Sequence, residues 1–183
     1  MVAHTQKYYL RRASDDDTQS LYELLCIPDV YRYLMDGAPP PRSIIEQWIE
    51  RSHADFSANG LGSWMLHYNE RQIAGCVRLE MQNQPRSAEL TYLLHPQFWG
   101  HGLATRMSWT VMQRAFDEGR VDQIIAGVDK PNTASVAVMR RLGMTFLRSV
   151  QYPLGPGAEY VYRYHDPAPI PLPAAIAFYS NDI

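Results

Sequence analysis

Two glycines in front of an amphipathic segment have the clearest capacity in this chain to bind a ligand. Residues 99–105 read Trp-Gly-His-Gly-Leu-Ala-Thr and follow an apolar run, residues 90–95. A strand, a tight glycine turn and a helix start in this order let the backbone approach a ligand closely and present unpaired N–H groups to it. This arrangement predicts an anion-binding corner that suits a phosphorylated cofactor.

Other phosphate-binding loops match these residues less well. A P-loop needs Gly-Lys followed by Ser or Thr, and Leu103 follows Gly102 instead. A dinucleotide-binding turn needs a third glycine, and Thr105 occupies that position. Nucleotide hydrolysis and hydride transfer are therefore disfavoured.

The first third of the chain predicts one strand and about two helices. Residues 7–10 are typical of a first strand, and residues 14–17, Ser-Asp-Asp-Asp, predict a helix start, where negative charge is favourable. We prefer this interpretation of the acidic triplet to a metal site. Three prolines at 39–41 end what precedes them, and Ser43 with Glu46 predicts a capping box for the next helix.

The remaining elements alternate between strands and helices and predict a mixed sheet. The order is strand, helices, three antiparallel strands, helix, strand, helix and two strands, which differs from a regular βαβ series. The predicted strands cover residues 63–68, 72–81, 88–95, 121–128, 145–152 and 159–165; the helices cover 104–118 and a segment capped by Asn132 that ends at 142; the turns include residues 69–71 and 153–157.

Composition and charge restrict the compartment and the partners. The 183 residues carry a net charge of −2 and are 46% hydrophobic, so we expect no nucleic-acid binding by bulk charge. No apolar run has membrane-spanning length and residues 1–10 lack a signal-peptide core, which predicts a cytoplasmic protein with no membrane partner. Cys26 and Cys76 show no disulfide or metal-site pattern, so both are expected to be reduced thiols.

Three segments together resemble one family of enzymes. They are residues 88–105, Asn132-Thr-Ala-Ser135 and Arg141-Leu-Gly-Met144. With the order of elements, they resemble the GNAT superfamily of N-acetyltransferases, and within it the branch that acetylates the N-termini of ribosomal proteins. The resemblance, over roughly residues 7–165, implies an α/β (α+β) fold with a mixed, mostly antiparallel, splayed sheet flanked by helices.

A change in composition marks the predicted boundary of the domain. We expect a single N-acetyltransferase domain over residues 7–166, followed by a Pro/Ala-rich tail over residues 167–183. Prolines at 169, 171 and 173 bar regular structure there, so the tail either packs as an extended segment or remains mobile.

The resemblance implies acetyl-CoA as the acyl donor and no metal. The family's loop carries Arg or Gln, two residues, Gly, one residue, then Gly or Ala, and these positions fall on Trp99, Gly102 and Ala104. Trp at the first position is common in this branch, and the loop acts mainly through backbone N–H groups. Asn132 either contacts the CoA arm, caps its helix, or does both. The residues expected to bind acetyl-CoA are Tyr92, Leu93, Leu94, Trp99, Gly100, His101, Gly102, Leu103, Ala104, Thr105, Asn132 and Ser135.

The same resemblance implies direct transfer of the acetyl group to an amine. Glu89 is the candidate base, directly or through a water, with a structural carboxylate as the alternative. The backbone N–H of Leu94 is the expected oxyanion donor. Many family members have a tyrosine where this chain has Met139, which cannot donate a proton. Ser135 is the candidate substitute that bonds the leaving thiolate, although its hydroxyl could instead bond the first helix turn.

A catalytic histidine is disfavoured. His67, His95 and His101 are the histidines expected near the cleft. His101 lies inside the glycine loop and is expected to be exposed near phosphate.

The acceptor amine is not defined by these residues. The family acetylates protein N-termini and small-molecule amines, and acceptor contacts are expected from residues 30–42 and 153–157. A homodimer is plausible for this branch, without a residue pattern that demonstrates one. The alternative function is a catalytically weak or inactive acyl-CoA-binding module, which Met139 permits.

Overall fold

The computed structural model describes residues 7–35, 37–69 and 72–179. Its strands are β1 (Tyr8–Arg12), β2 (Ser63–Tyr68), β3 (Gln72–Met81), β4 (Ser87–Leu94), β5 (Gln123–Asp129), β6 (Thr145–Tyr152), β7 (Gly155–Arg163) and β8 (Ala177–Phe178). Its α-helices are α1 (Thr18–Leu25), α2 (Pro28–Tyr31), α3 (Arg42–Asn59), α4 (Leu103–Asp117) and α5 (Thr133–Arg141). Among the described residues, no helix is long and apolar enough to cross a membrane.

The strands form one sheet in the order β6-β7-β5-β4-β3-β2-β1-β8. Neighbouring strands run antiparallel except for the pairs β4/β5 and β1/β8, which are parallel. Helix α4 contacts β3 and β4, and α1 contacts β3 and α3. This mixed, mostly antiparallel sheet flanked by helices confirms the predicted fold.

The two central strands separate partway along their length. Strands β4 and β5 pair only over residues 87–89 and 123–125. Beyond that point β4 keeps its pairing with β3, and β5 keeps its pairing with β7. A gap therefore opens between residues 90–94 of β4 and residues 126–129 of β5.

Alternation along β4 divides its side chains between two apolar layers. Leu90 and Leu94 belong to the larger buried cluster, which includes the fully buried Met107 and Met112 of α4. Leu93 belongs to the smaller cluster, formed with residues of α1 and α3. Because successive side chains of a strand point to opposite faces, β4 is held on both sides beside the gap.

Of two helix starts predicted in the first third of the chain, the one at Ser14 is confirmed and the one at Ser43 is wrong. The Asp17 carboxylate accepts a hydrogen bond from the Ser14 N–H at 2.8 Å, as a helix start requires. The capping box predicted for Ser43 and Glu46 is wrong. Helix α3 begins directly after Pro41, which is its N-cap, and no side chain caps it.

The last hairpin is tighter than predicted. The loop predicted over residues 153–157 is a two-residue turn, because β7 already begins at Gly155. Tyr152 pairs with Gly155 across this turn. In the turn predicted at residues 69–71, residues 70 and 71 lie outside the described residues.

The proline-rich tail packs along α4 and adds an edge strand to the sheet. Ile176 is buried, and its N–H donates to the Thr110 hydroxyl at 2.9 Å. The Arg106 guanidinium donates to the Ala174 carbonyl at 3.0 Å. Strand β8 then pairs with β1. Of the two predicted outcomes for the tail, residues 174–178 show the extended, packed one, while Ile170 before them is 98% exposed.

Candidate active site

A cleft of about 1030 Å³ occupies the gap between β4 and β5. The glycine turn and the first turn of α4 line it, together with residues of α2, α3 and α5. Except for His101, every residue predicted to bind acetyl-CoA or to act in catalysis is among the lining residues. The fold thus brings predicted residues from three separate segments of the chain, 89–94, 99–105 and 132–135, to one cavity.

The glycine turn adopts a conformation that favours glycine. The backbone φ is +79° at Gly100 and +70° at Gly102, both in the left-handed region. A Cβ atom added at either position would meet no other atom within 4 Å. Backbone conformation therefore accounts for both glycines, and the space beside them is open to a ligand.

The start of α4 presents polar groups without partners to the cleft. Its first backbone hydrogen bond runs from the Arg106 N–H to the Gly102 carbonyl at 3.0 Å. The N–H groups of residues 103–105 consequently have no acceptor within the helix. Thr105 is 5% exposed, and its hydroxyl has no partner among the described residues. These donors at the positive end of a helix dipole fit an anionic group.

Trp99 connects the glycine turn to the end of β4. Its indole N–H donates to the Leu94 carbonyl at 2.7 Å, while the side chain remains 47% exposed. The hydrogen bond fixes the turn against the strand, so the position of one is coupled to that of the other. The sequence indicated a contact with the cofactor here and did not reveal this bond.

The backbone of β4 turns polar groups toward the gap. The His95 N–H donates to the Ala74 carbonyl at 2.8 Å, on the β3 side. Because the backbone groups of adjacent residues in a strand point in opposite directions, those of Leu94 and Tyr92 point to the side from which β5 has diverged. By the same alternation, the backbone N–H and carbonyl of Leu93 face β3. The N–H of Leu93 is therefore not available to a ligand in the gap.

The start of α5 forms the opposite side of the cleft. The Asn132 side chain accepts a hydrogen bond from the Ser135 N–H at 3.1 Å, which confirms its predicted N-cap role. No bond of the Ser135 hydroxyl is found among the described residues. The Tyr92 hydroxyl approaches the Ser135 carbonyl at 3.5 Å, and burial raises the pKa of Tyr92 to about 12. Met139 is buried and lines the cleft with its thioether.

Glu89 is the middle member of three carboxylates that share one face of the sheet. It stands directly opposite Glu80 on β3, and Glu159 lies on the same face of β7. Desolvation by the cleft walls raises the pKa of Glu89, and the charges of Glu80 and Glu159 raise it further. The side chain is nevertheless open to the cleft. It is thus a reachable carboxylate with an increased proton affinity.

Ion pairing separates Glu89 from its two neighbours. Glu80 lies 2.8 Å from Arg51, and Glu159 lies 2.7 Å from Arg148. Among the described residues, no arginine forms an ion pair with Glu89. A hydrogen bond from Gln82 at 3.0 Å and the charge of Arg78 lower its pKa, by less than burial and the two carboxylates raise it. Its negative charge remains available to a ligand.

None of the three histidines considered from the sequence lines the cleft. His95 accepts a hydrogen bond from the Gln97 N–H at 3.3 Å through Nδ1. His67 is buried and stacks on Tyr9 with ring centroids 4.8 Å apart, and desolvation lowers its pKa to about 4. His95 nevertheless lies beside the cleft, since its ring meets the lining residue Phe98 with centroids 6.3 Å apart.

Tyr152 is a cleft residue that sequence reasoning missed. It ends β6, and its hydroxyl lies against Gly127 of β5, where a Cβ atom would collide with it. Burial and the charges of Glu159 and Glu89 raise the pKa of Tyr152 to about 12. The predicted loop beside it, residues 153–157, does not line the cleft. A glycine in the middle of a strand was the available signal for this close approach.

Only part of the predicted acceptor segment, residues 30–42, lines the cleft. Of residues 30–42, those that line the cleft lie within residues 30–34, and they are joined by Trp48 and Arg78. Arg141, at the end of α5, also lines the cleft and was not assigned a role from the sequence. No residue pattern along the chain connects Trp48 with Arg78, because α3 and β3 meet only in the folded chain.

The acidic residues do not form a metal site in the described part of the chain. No group of three or more His, Cys, Asp or Glu side chains is placed there to hold a metal ion. Asp17 pairs with Arg11 at 2.7 Å, which supports the helix-start interpretation of the acidic triplet.

Comparison with known proteins identifies relatives over most of the chain. A family model described as an acetyltransferase (GNAT) domain matches residues 7–145. The uncharacterized protein YkkB of Bacillus subtilis (strain 168) is 26% identical over 152 residues, covering 80% of this chain and 87% of that protein. The spermidine N(1)-acetyltransferase of Escherichia coli (strain K12) is 28% identical over 114 residues, covering 56% of this chain and 61% of that protein.

Solved structures share the fold at low sequence identity. The ribosomal-protein alpha-N-acetyltransferase RimL in complex with coenzyme A superposes with a TM-score of 0.75 at 15% identity, over 87% of this chain and 95% of that one. The spermidine N-acetyltransferase of Vibrio cholerae, in complex with CoA and spermine, superposes with a TM-score of 0.72 at 16% identity, over 87% and 97%.

Proposed function

Because the chain belongs to the GNAT acetyltransferase family, as its motifs predicted, we propose that the cleft between β4 and β5 transfers an acetyl group from acetyl-CoA directly to a primary amine. The observation that carries this proposal is the convergence of three groups on one cavity: a helix start with unpaired N–H groups, a reachable carboxylate, and a serine hydroxyl for which the described residues supply no partner. Acetyl-CoA supplies the activated acetyl group as a thioester.

The anion-binding end of the cleft suits the pyrophosphate of acetyl-CoA. The turn at Gly100 and Gly102 leaves open space, and the N–H groups of residues 103–105 have no acceptor in the helix. The unpartnered Thr105 hydroxyl adds a fourth donor. Arg141, in the same cleft, brings a positive charge to this ligand.

The Leu94 and Glu89 groups suit the acyl-transfer step itself. The amine must lose a proton as it attacks the carbonyl carbon, and Glu89 accepts this proton directly or through a water. The Leu94 N–H, on the gap side of β4, donates to the oxygen that becomes negative. Such a backbone donor is fixed by the strand before the reaction begins.

Ser135 suits the leaving sulfur. Its hydroxyl has no partner among the described residues, and it lies in the cleft at the first turn of α5. We assign it the hydrogen bond that stabilises the thiolate when the carbon–sulfur bond breaks. Met139 lines the same cleft and lacks a proton to donate.

The acceptor is a protein N-terminus or a small-molecule amine. The relatives named above are a spermidine acetyltransferase and a ribosomal-protein alpha-N-acetyltransferase, which act on chemically different amines. Both have amine acceptors, and this supports an amine acceptor here.

A thiol-release assay with acetyl-CoA and a panel of amines tests the proposed function. The panel contains short peptides with free N-termini, amino acids and polyamines, and binding of acetyl-CoA is measured in parallel by calorimetry. We expect CoA release that depends on at least one amine. Tight binding of acetyl-CoA without release on any amine would instead identify an acyl-CoA-binding module.

A further inference from the structure

Arg78 is a buried cation in the lining of the cleft, on the face of the sheet that carries Glu89. It lies on β3, is 8% exposed and lines the cleft together with Trp48 and residues of α2. A buried guanidinium normally has its N–H groups satisfied by hydrogen bonds. Its surroundings therefore indicate whether its role is structural alone.

The contacts of Arg78 use only part of its hydrogen-bonding capacity. Its Nη2 atom lies 3.1 Å from Glu80 and 3.4 Å from Asp55, so both ion pairs converge on one nitrogen. Its Nε is buried and has no partner among the described residues. Because an arginine carries five N–H donors, the two ion pairs do not satisfy the whole side chain, and its buried Nε is left without a partner in the described part of the chain.

Neighbouring groups fix the position of this guanidinium. The face of the Trp48 ring lies 5.2 Å from the Arg78 Cζ, and the Trp48 N–H is itself bonded to Ser63 at 2.8 Å. Glu80 is shared with the exposed Arg51 at 2.8 Å. The cation is consequently held in place before any ligand arrives, which favours recognition of a planar anion such as a carboxylate.

The register of the sheet places Arg78 close to the candidate base. Arg78 stands opposite Thr91 on β4, and Glu89 is two residues from Thr91 on the same face. Such diagonal neighbours lie roughly 7–8 Å apart at their Cα atoms. A molecule with an amine at Glu89 therefore needs only a few bonds to bring a second group to Arg78.

The charges on the facing wall are compatible with a ligand of mixed charge. Asp29 and Arg32 of the α2 region both line the cleft. No hydrogen bond or ion pair of the Arg32 side chain is found among the described residues. The cleft thus offers carboxylates for an ammonium group and guanidinium groups for an anion.

From this arrangement we propose that Arg78 determines acceptor specificity by binding a carboxylate that the acceptor carries a few bonds from its reacting amine. The acceptor class is an amino acid, or a peptide that begins with an acidic residue. This inference rests on the proposed function, since it concerns the same cleft. It makes Arg78 a specificity residue, with no part in the transfer chemistry.

Matched pairs of acceptors provide the test. The kcat/KM of the wild-type protein is measured for amino acids against their carboxamides, and for dipeptide amides that begin with Glu against Gln. We expect the carboxylate member of at least one pair to be preferred by about tenfold or more, as hydrogen bonds to a charged group contribute. R78Q is expected to abolish this preference while the Kd for acetyl-CoA stays within about twofold.

R51Q is the matched control, because Arg51 pairs with the same Glu80 and does not line the cleft. It is expected to keep the preference, and R78K is expected to restore part of it. Equal kcat/KM for carboxylate and carboxamide in every pair would overturn the inference and leave the proposed function intact. The same conclusion would follow if folded R78Q kept the preference. Absence of turnover on every amine would contradict the proposed function itself.

Discussion

Glu89 differs from Glu80 and Glu159 because no arginine of the described chain forms an ion pair with it, although the charge of Arg78 acts on it from a distance. Glu80 and Glu159 are each paired with arginine, while their charges and the cleft walls raise the pKa of Glu89. A raised pKa strengthens a carboxylate as a base near neutral pH. It also means that protonation removes the base at a higher pH than for an ordinary glutamate.

The pH profile of the reaction tests this role. A base must be deprotonated, so kcat/KM is expected to rise with pH through the pKa of Glu89, above the usual range of a glutamate. E89Q is expected to lower kcat by about 100-fold or more and to remove this acidic limb. A limb that persists in E89Q with unchanged kcat would assign the base elsewhere.

E159Q provides a control at a distance from the reacting groups. Removing the Glu159 charge lowers the pKa of Glu89, since that charge is one cause of the upward shift. In E159Q, the rise of kcat/KM with pH is therefore expected to occur at lower pH than in the wild type. The double variant E159Q/E89Q is expected to show no such rise. A limb that moved to higher pH would contradict the electrostatic account.

The Ser135 hydroxyl is the group proposed to stabilise the leaving thiolate. S135A is expected to lower kcat by about tenfold, because one hydrogen bond to the leaving thiolate is lost. The Kd for acetyl-CoA is expected to stay unchanged within about twofold, since the Asn132 cap uses the Ser135 N–H and remains in place. Rapid-quench turnover and calorimetric binding separate the two quantities. Unchanged kcat would exclude the hydroxyl from the mechanism.

The start of α4 is the element proposed to bind the anionic part of acetyl-CoA. G102D places a negative side chain in the open space beside Gly102 and is expected to weaken acetyl-CoA binding by about 100-fold or more. The matched control is G119D, because Gly119 also has a positive φ, +63°, and open space, at the far end of the same helix. G119D is expected to bind normally, with both variants destabilised on the order of 1 kcal/mol. Normal binding by folded G102D would contradict the assignment of this turn.

The tail and α4 stabilise each other through a buried hydrogen bond. T110V removes the acceptor of the Ile176 N–H and is expected to lower the free energy of unfolding by about 1–3 kcal/mol. T110S keeps the hydroxyl and is expected to lose less than half as much. Urea unfolding measures both variants. Equal stability of T110V and the wild type would show that the tail does not contribute to the stability of the domain.

The sequence predicted well those strands and helix caps that depend on residues close together along the chain. The strands over residues 63–68 and 72–81, predicted as a hairpin, and the cap at Asn132 depend on neighbours along the chain, and the structure has them as predicted. The start of α3 was misplaced because Pro41 provides an N-cap position without a side-chain hydrogen bond, which a capping-box pattern does not consider. The two-residue turn before Gly155 was missed because its length depends on strand pairing with β6.

The whole molecule explains why part of the cleft was not predictable. The glycine turn, Glu89 and Ser135 carry signals in types and spacing that a family resemblance can assign. Tyr152 of β6 lines the cleft because it reaches Gly127 of β5 in the folded sheet. Arg78 of β3 lines it beside Trp48, because α3 packs against that face of the sheet. Their roles depend on tertiary contacts between residues far apart in the chain.

The cleft as a whole must hold the acyl donor and the acceptor at the same time. The cleft combines a helix start proposed to bind a phosphorylated ligand, a candidate base beside a backbone N–H, and side chains of both charge signs. Direct transfer requires that donor and acceptor bind together in this single cavity. No covalent acetyl-protein intermediate is expected.

Mass spectrometry of the reaction with isotope-labelled acetyl-CoA tests this central claim most directly. An accepted amine from the panel is incubated with the protein, and the amine, the CoA and the intact protein are weighed after a single turnover. The account predicts equal amounts of labelled N-acetylated amine and free CoA, with the mass of the protein unchanged throughout. Labelled acetyl bound covalently to the protein, or CoA release without acetylated amine, would contradict it.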